Sequence, residues 1–302
     1  MHPLLHWRIP AAIVILLFSV FPVVTQAVAK VMHMPFQLDD TSLPVTKVNI
    51  NGQLLTFSID TGSSIALHLS KDVMAQLPGL ITDPEKERTT DLTGKVFLND
   101  RFHIPQLSIN GMTFNNVKGV SLTPWGMILI PGGHIPTSMV IGLDLFKGKA
   151  VLIDYQGQRL SVADDLQALS INVDDGWMAL PLRLTPEGIV VNVSLRLQRY
   201  DMVLDTGASV SVFWKGRLKS SFTGLPCQTV MPEMDNKGCI ATEFQLDGVG
   251  RKEIKLNSVL LEGNFEHIET DGLVGNNFFK DFTVIIDFPG QRLLIKDNRS
   301  AN

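Results

Sequence analysis

The chain alternates short apolar runs with turn residues, and sustained helical periodicity is scarce. Val45 to Ile50 is followed by Asn51-Gly52, Leu107-Ser108-Ile109 by Asn110-Gly111, and Val284-Ile285-Ile286 by Pro289-Gly290. Runs of this length, bounded by such pairs, predict strands joined by tight turns, because Asn and Gly tolerate the backbone angles that hairpins demand. A short helix is predicted only around Ser70 to Leu77, with single helical turns after Gly142 and Gly275. The pattern predicts an all-β protein.

Two of the apolar runs end in the same tripeptide. Leu55-Thr56-Phe57-Ser58-Ile59 leads into Asp60-Thr61-Gly62, and Asp201-Met202-Val203-Leu204 leads into Asp205-Thr206-Gly207. Downstream of each lies an aliphatic pair and a glycine, Val140-Ile141-Gly142 and Leu273-Val274-Gly275. Beyond that glycine Phe146-Lys147, Val151, Ile153-Asp154 and Gly157-Gln158-Arg159-Leu160 recur as Phe279-Lys280, Val284, Ile286-Asp287 and Gly290-Gln291-Arg292-Leu293, nine identities at one offset of 133 residues. An internal duplication explains the repeat. Its halves run from about residue 36 to 162 and from 178 to 302, and the Asp-rich stretch 163–177 between them reads as an exposed connector.

A single Asp-Thr-Gly is a weak signal, but two in matched contexts are strong. From about Pro44 to Ile295 the chain resembles the aspartic protease clan, the pepsin-like and retropepsin-like enzymes. The resemblance implies a bilobal acid-protease fold, two retropepsin-like β lobes about a pseudo-twofold axis, with Asp60 and Asp205 as catalytic residues. It also implies that the hydroxyls of Thr61 and Thr206 bond across to the opposite loop. The family roofs its cleft with a glycine-tipped hairpin, which makes Gly94 and Gly238 flap candidates. The flap tyrosine of the pepsin-like enzymes is absent, since the only tyrosines are Tyr155 and Tyr200. Only Lys30 to Leu43 stands where those enzymes carry a long prosegment, so the chain looks more like a fused retropepsin-like pair of bacterial, periplasmic type.

Composition narrows the partners. A net charge of −4, with Lys and Arg scattered singly, offers no basic patch for nucleic acid. Only two cysteines, Cys227 and Cys239, are present, and a bridge and two thiols are both open. The histidines beyond the leader, His33, His68, His103, His134 and His267, lack ligand spacing and read as surface or packing residues, so neither a metal nor another cofactor is expected. At the N-terminus a weakly basic start, an apolar run from Ile9 to Val24 and Ala27-Val28-Ala29 read as a signal peptide over residues 1–29, with an uncleaved membrane anchor as the competing reading. Either way the folded part is exported, to the periplasm or beyond.

Two adjacent carboxylates suit hydrolysis of a peptide bond, because one activates water while the other supplies a proton. Proximity enforces that division, since two like charges so close cannot both ionise cheaply. Gly62 and Gly207 permit the tight turns around the carboxylates. Ser63 follows the first motif where Ala208 follows the second, so a Ser63 hydroxyl bond to Asp60 would favour ionised Asp60 and leave the shared proton on Asp205. The leading expectation is an aspartic endopeptidase acting on a peptide or protein. A non-catalytic peptide-binding module of the same fold and a structural envelope protein are the alternatives. Lobe 1 also carries about 19 residues more than lobe 2 before its aliphatic-aliphatic-glycine segment, including Trp125 to Gly133, which would either border the cleft or cover the lobe's own core.

Overall fold

The alternation at Pro44–Ile50 becomes a strand with Val48 and Ile50 buried and Lys47 and Asn49 exposed. Asn51 and Gly52 then both take positive φ, 49° and 91°, which reverses the chain in a two-residue hairpin. Asn110 and Gly111 repeat this at 46° and 77°. The structure is a computed structural model that describes residues 30–91, 95–124, 135–195, 198–218, 239–246, 254–261 and 265–299, with only the backbone for 239–246, 254, 255 and 257. The leader, Gly94, Gly238, the Trp125–Gly133 insertion and Cys227 lie outside the described residues, as does the side chain of Cys239.

In chain order the first strands are β1 (Met32–Leu38), β2 (Pro44–Ile50), β3 (Gln53–Asp60), β4 (Leu67–Leu69), β5 (Ile81–Thr90), β6 (Val96–Ile109), β7 (Met112–Ser121), β8 (Met139–Gly142), β9 (Ala150–Asp154) and β10 (Arg159–Ala163). They are followed by β11 (Met178–Pro181), β12 (Arg183–Thr185), β13 (Gly188–Leu195), β14 (Gln198–Leu204), β15 (Val212–Trp214), β16 (Cys239–Leu246), β17 (Ile254–Leu261), β18 (Gly272–Val274), β19 (Phe282–Asp287) and β20 (Arg292–Asp297). The helix expected at Ser70 to Leu77 is α1 (Lys71–Gln76), capped by the Ser70 hydroxyl on the Val73 N–H. A 3₁₀ turn (Leu143–Phe146) follows Gly142 and a short α-turn (Asn276–Phe279) follows Gly275.

The duplication is legible in the pairing. In the first half β3 runs parallel to β8, and β4 pairs with both β8 and β7; in the second, β14 runs parallel to β18, and β15 pairs with both β18 and β17. The halves share one sheet, in which β9 and β19 lie antiparallel with Val284 opposite Ile153, Ile285 opposite Leu152 and Ile286 opposite Val151. Leu152 and Ile285 are the same position in the two copies, so the pseudo-twofold axis passes between them, as in any isologous contact. The fold is all-β and bilobal. The repeated Gly-Gln-Arg-Leu is a hairpin in both copies: Gly157 and Gly290 donate backbone N–H to Asp154 and Asp287, and Gln158 and Gln291 take φ of 47° and 51°.

The stretch 164–177 is exposed at Asp164, Asp165, Asp174 and Asp175, but its apolar residues are not free in solvent. Leu166 is buried against Ala150, Ile285 and Leu294, with Leu169, Ile171, Val173 and Trp177 packed beside it. The shared sheet has two apolar faces, and only one meets the main core. The connector covers the other, because leaving such a face in water is unfavourable by roughly 25 cal/mol per Å².

Candidate active site

Asp60 ends β3 and Asp205 directly follows β14, each beside a parallel strand that stops at the same level. The glycine closing each aliphatic segment packs hard against the aspartate's loop: a Cβ on Gly142 would lie 2.0 Å from Ile65 O, and one on Gly275 would lie 2.5 Å from Val210 O. No side chain fits there. The helical turns beyond these glycines then donate to the loops, Leu143 N–H to Ser63 O at 2.8 Å and Asn276 N–H to Ala208 O at 2.8 Å.

The two loops interlock. Thr61 Oγ1 donates to Leu204 O at 2.8 Å and accepts from the Thr206 N–H at 3.1 Å, while Thr206 Oγ1 donates to Ile59 O at 2.8 Å and accepts from the Thr61 N–H at 3.0 Å. Both threonines are buried, so these bonds have no competition from water. They bring Asp60 and Asp205 into a hydrogen bond with each other.

Gly62 and Gly207 have a reason beyond the turn-forming role expected of them. Neither takes a positive φ. A Cβ on Gly62 would lie 2.5 Å from Asp205 Cγ, and one on Gly207 would lie 2.7 Å from Asp60 Cγ. Each glycine makes room for the carboxylate of the other lobe.

The dyad is electrostatically uneven. Burial pushes Asp205 well above the usual carboxylate range, and repulsion from Asp60 and the hydrogen bond between them add to the rise; the N–H groups of Gly207 and Gly62 oppose it. Burial also raises Asp60, against the opposing bonds from Asp205 and from the N–H groups of Gly62 and Ser63. The proton therefore sits on Asp205 and the negative charge on Asp60. The expected asymmetry has a different source. Ser63 does hold Asp60, but through its backbone N–H at 3.0 Å, while its hydroxyl lies 2.9 Å from His68 Nε2. Burial lowers His68 to about 4, so above that pH the ring is neutral, and its contact with Ser63 Oγ holds the hydroxyl away from Asp60.

The comparisons with known proteins agree with this geometry. Residues 46–145 match the aspartyl protease family, a match confined to the first lobe. The chain superposes on an aspartic proteinase from Irpex lacteus with a TM-score of 0.56 at 11% identity, covering 89% of this chain and 98% of that one. The first lobe thus matches the aspartyl protease family, and the chain as a whole shares its fold with an aspartic proteinase. A comparison with curated proteins finds no match.

Between the lobes lies a cleft of about 430 Å³ with both aspartates in its lining. The β5–β6 hairpin overhangs it, and Asp91 at its tip meets lobe 2 by accepting a hydrogen bond at its backbone O from His267 Nε2 at 3.2 Å. That hairpin brackets the flap candidate Gly94; in lobe 2, β16 begins just after the second candidate, Gly238. Thr123, Pro124, Pro136 and Ser138, on either side of the insertion, line the cleft.

Sequence reasoning overlooked two supports. Asn276 is buried, donates through Nδ2 to Thr206 O at 3.1 Å and to Ser42 O at 2.7 Å, and accepts from the Tyr155 hydroxyl, tying the second aspartate loop to the first half of the chain. His68 lines the cleft rather than the surface. The repeat holds a signal for Asn276, since its counterpart across the 133-residue offset is the apolar Leu143.

Proposed function

We propose that this protein is an aspartic endopeptidase that hydrolyses peptide bonds with a water activated between Asp60 and Asp205. The observation that carries the reading is the pair of buried carboxyls, each packed against the Asp-Thr-Gly glycine of the other lobe, in the lining of a cleft between the lobes. In this mechanism Asp60, held ionised by two backbone N–H groups, takes the proton of the water. Asp205 gives its proton to the carbonyl oxygen of the substrate, and the tetrahedral intermediate collapses as the amine leaves with a proton. The pair exchanges one proton, so it titrates as a unit.

Incubation of the purified protein with a denatured protein, with and without a statine-type inhibitor, tests the reading. Inhibitable hydrolysis is expected, lost in Asp60→Asn because an amide cannot take the proton. Hydrolysis that survives Asp60→Asn at the wild-type rate overturns the mechanism. We place the activity outside the cytoplasm, on the sequence of residues 1–29.

A further inference from the structure

Beneath each aspartate three neighbouring strands carry a row of residues that faces the cleft. In lobe 1 the row is Ser58 on β3, Val140 on β8 and His68 on β4, paired directly across the strands. In lobe 2 the same row is Val203 on β14, Leu273 on β18 and Val212 on β15. The registers make these rows equivalent: Ser58 and Val203 each stand two residues before an aspartate, and Val140 and Leu273 each stand two before the packed glycine. Yet their chemistry differs. The lobe 1 row holds a hydroxyl and an imidazole, whereas the lobe 2 row is wholly aliphatic and belongs to a cluster with Trp214 and Leu261.

The polar side is equipped to bond. Ser58 Oγ donates to Met139 O at 3.3 Å and keeps its lone pairs. His68 Nε2 lies 2.9 Å from Ser63 Oγ, and the neutral ring has one donor and one acceptor nitrogen, so Nδ1 can bond a ligand in either tautomer. Lobe 1 thus offers two uncharged hydrogen-bonding groups, a hydroxyl and an imidazole. The lobe 2 row offers neither.

An extended peptide cut on a twofold axis presents its two flanking side chains to the two lobes, because the rotation that exchanges the lobes exchanges the two sides of the bond. Successive side chains of an extended chain also point to opposite faces. Resting on the peptidase reading, we propose that the cleft is selective in a polar–apolar sense: the cut bond joins a residue with an uncharged hydrogen-bonding side chain, a hydroxyl or an amide, to one with a branched aliphatic or aromatic side chain. The order along the chain is the same in every substrate, since only one lobe carries the polar row.

The test uses the full chain in two assays. Cleavage-site mapping on a peptide library should show a hydroxyl or amide residue on one side of the bond and a large apolar one on the other. Ser58→Val should cut the preference for the polar residue about tenfold or more, and Val203→Ser should do the same for the apolar residue on the opposite side, as expected when one pocket contact changes character. In parallel, two hydroxyethylene peptide isosteres of opposite arrangement, and one apolar on both sides, are ranked by affinity. Tighter binding of one polar–apolar arrangement supports the inference even if no peptide is cut, in which case the peptidase reading alone fails. Hydrolysis with large apolar residues favoured equally on both sides, or equal binding of all three isosteres, overturns the inference and leaves the peptidase reading standing.

Discussion

Replacing Asp205 by Asn should make the protein more stable relative to wild type as the pH rises. In the folded wild type burial and the neighbouring Asp60 raise Asp205 well above 3.8, so the folded state keeps a proton that the unfolded chain releases above that pH. Stability contributed by such a group is complete below the unfolded pKa and is lost as the pH climbs through the folded one. The loss runs at about 1.4 kcal/mol per pH unit for one proton. For a chain of this size that is roughly 3–5 °C in Tm per unit. His68 acts with the opposite sign: burial lowers it from 6.5 to about 4, so its stabilisation is present above 6.5 and is lost as the pH falls toward 4. Between these values the two slopes oppose, and wild type should vary less with pH than Asp205→Asn. Asp205→Asn removes one slope and exposes the other. Urea melts at half-unit steps from pH 3.5 to 7, for wild type, Asp205→Asn and Asp60→Asn, measure the difference directly. A wild-type minus Asp205→Asn difference that stays constant across this range would refute the placement of the proton on Asp205.

Thr206→Val keeps the shape of the side chain but strips the Thr61 N–H and Ile59 O of their buried partner, at roughly 1–3 kcal/mol for each group left unpaired. A loss of about 2–6 kcal/mol in chemical melts, with hydrolysis falling further than stability alone explains, is expected; a loss below about 1 kcal/mol would show the interlock to be dispensable. Gly62→Ala should abolish activity and move the coupled titration of the dyad, because the new Cβ would stand 2.5 Å from Asp205 Cγ. An unchanged pH–rate profile in that variant would mean that the lobes separate at no catalytic cost.

Much of the fold was legible because its determinants are local or repeated. Alternation at Pro44–Ile50 and the two Asn-Gly pairs are decided by side-chain direction and by backbone angles that few residues tolerate, and both act within a few residues. The two Asp-Thr-Gly copies and the 133-residue repeat named the pair of aspartates before any strand was placed, because a duplicated chain has to bring equivalent residues to a shared axis. What tertiary structure decided are the contacts between segments far apart in sequence. Gly62 clears Asp205 across 143 positions, a constraint that no local pattern around Gly62 expresses. The Ser63 hydroxyl could have reached Asp60 or His68, and only the pairing of β4 with β8 turns it to His68. The Asp-rich connector looked exposed because its apolar residues follow no sustained alternation, yet Leu166 is held by a sheet face that exists only once β9 and β19 meet. The same holds for the polar row of Ser58 and His68: each residue is unremarkable in its own strand, and only strand order places both under Asp60, opposite a lobe whose matching row is aliphatic.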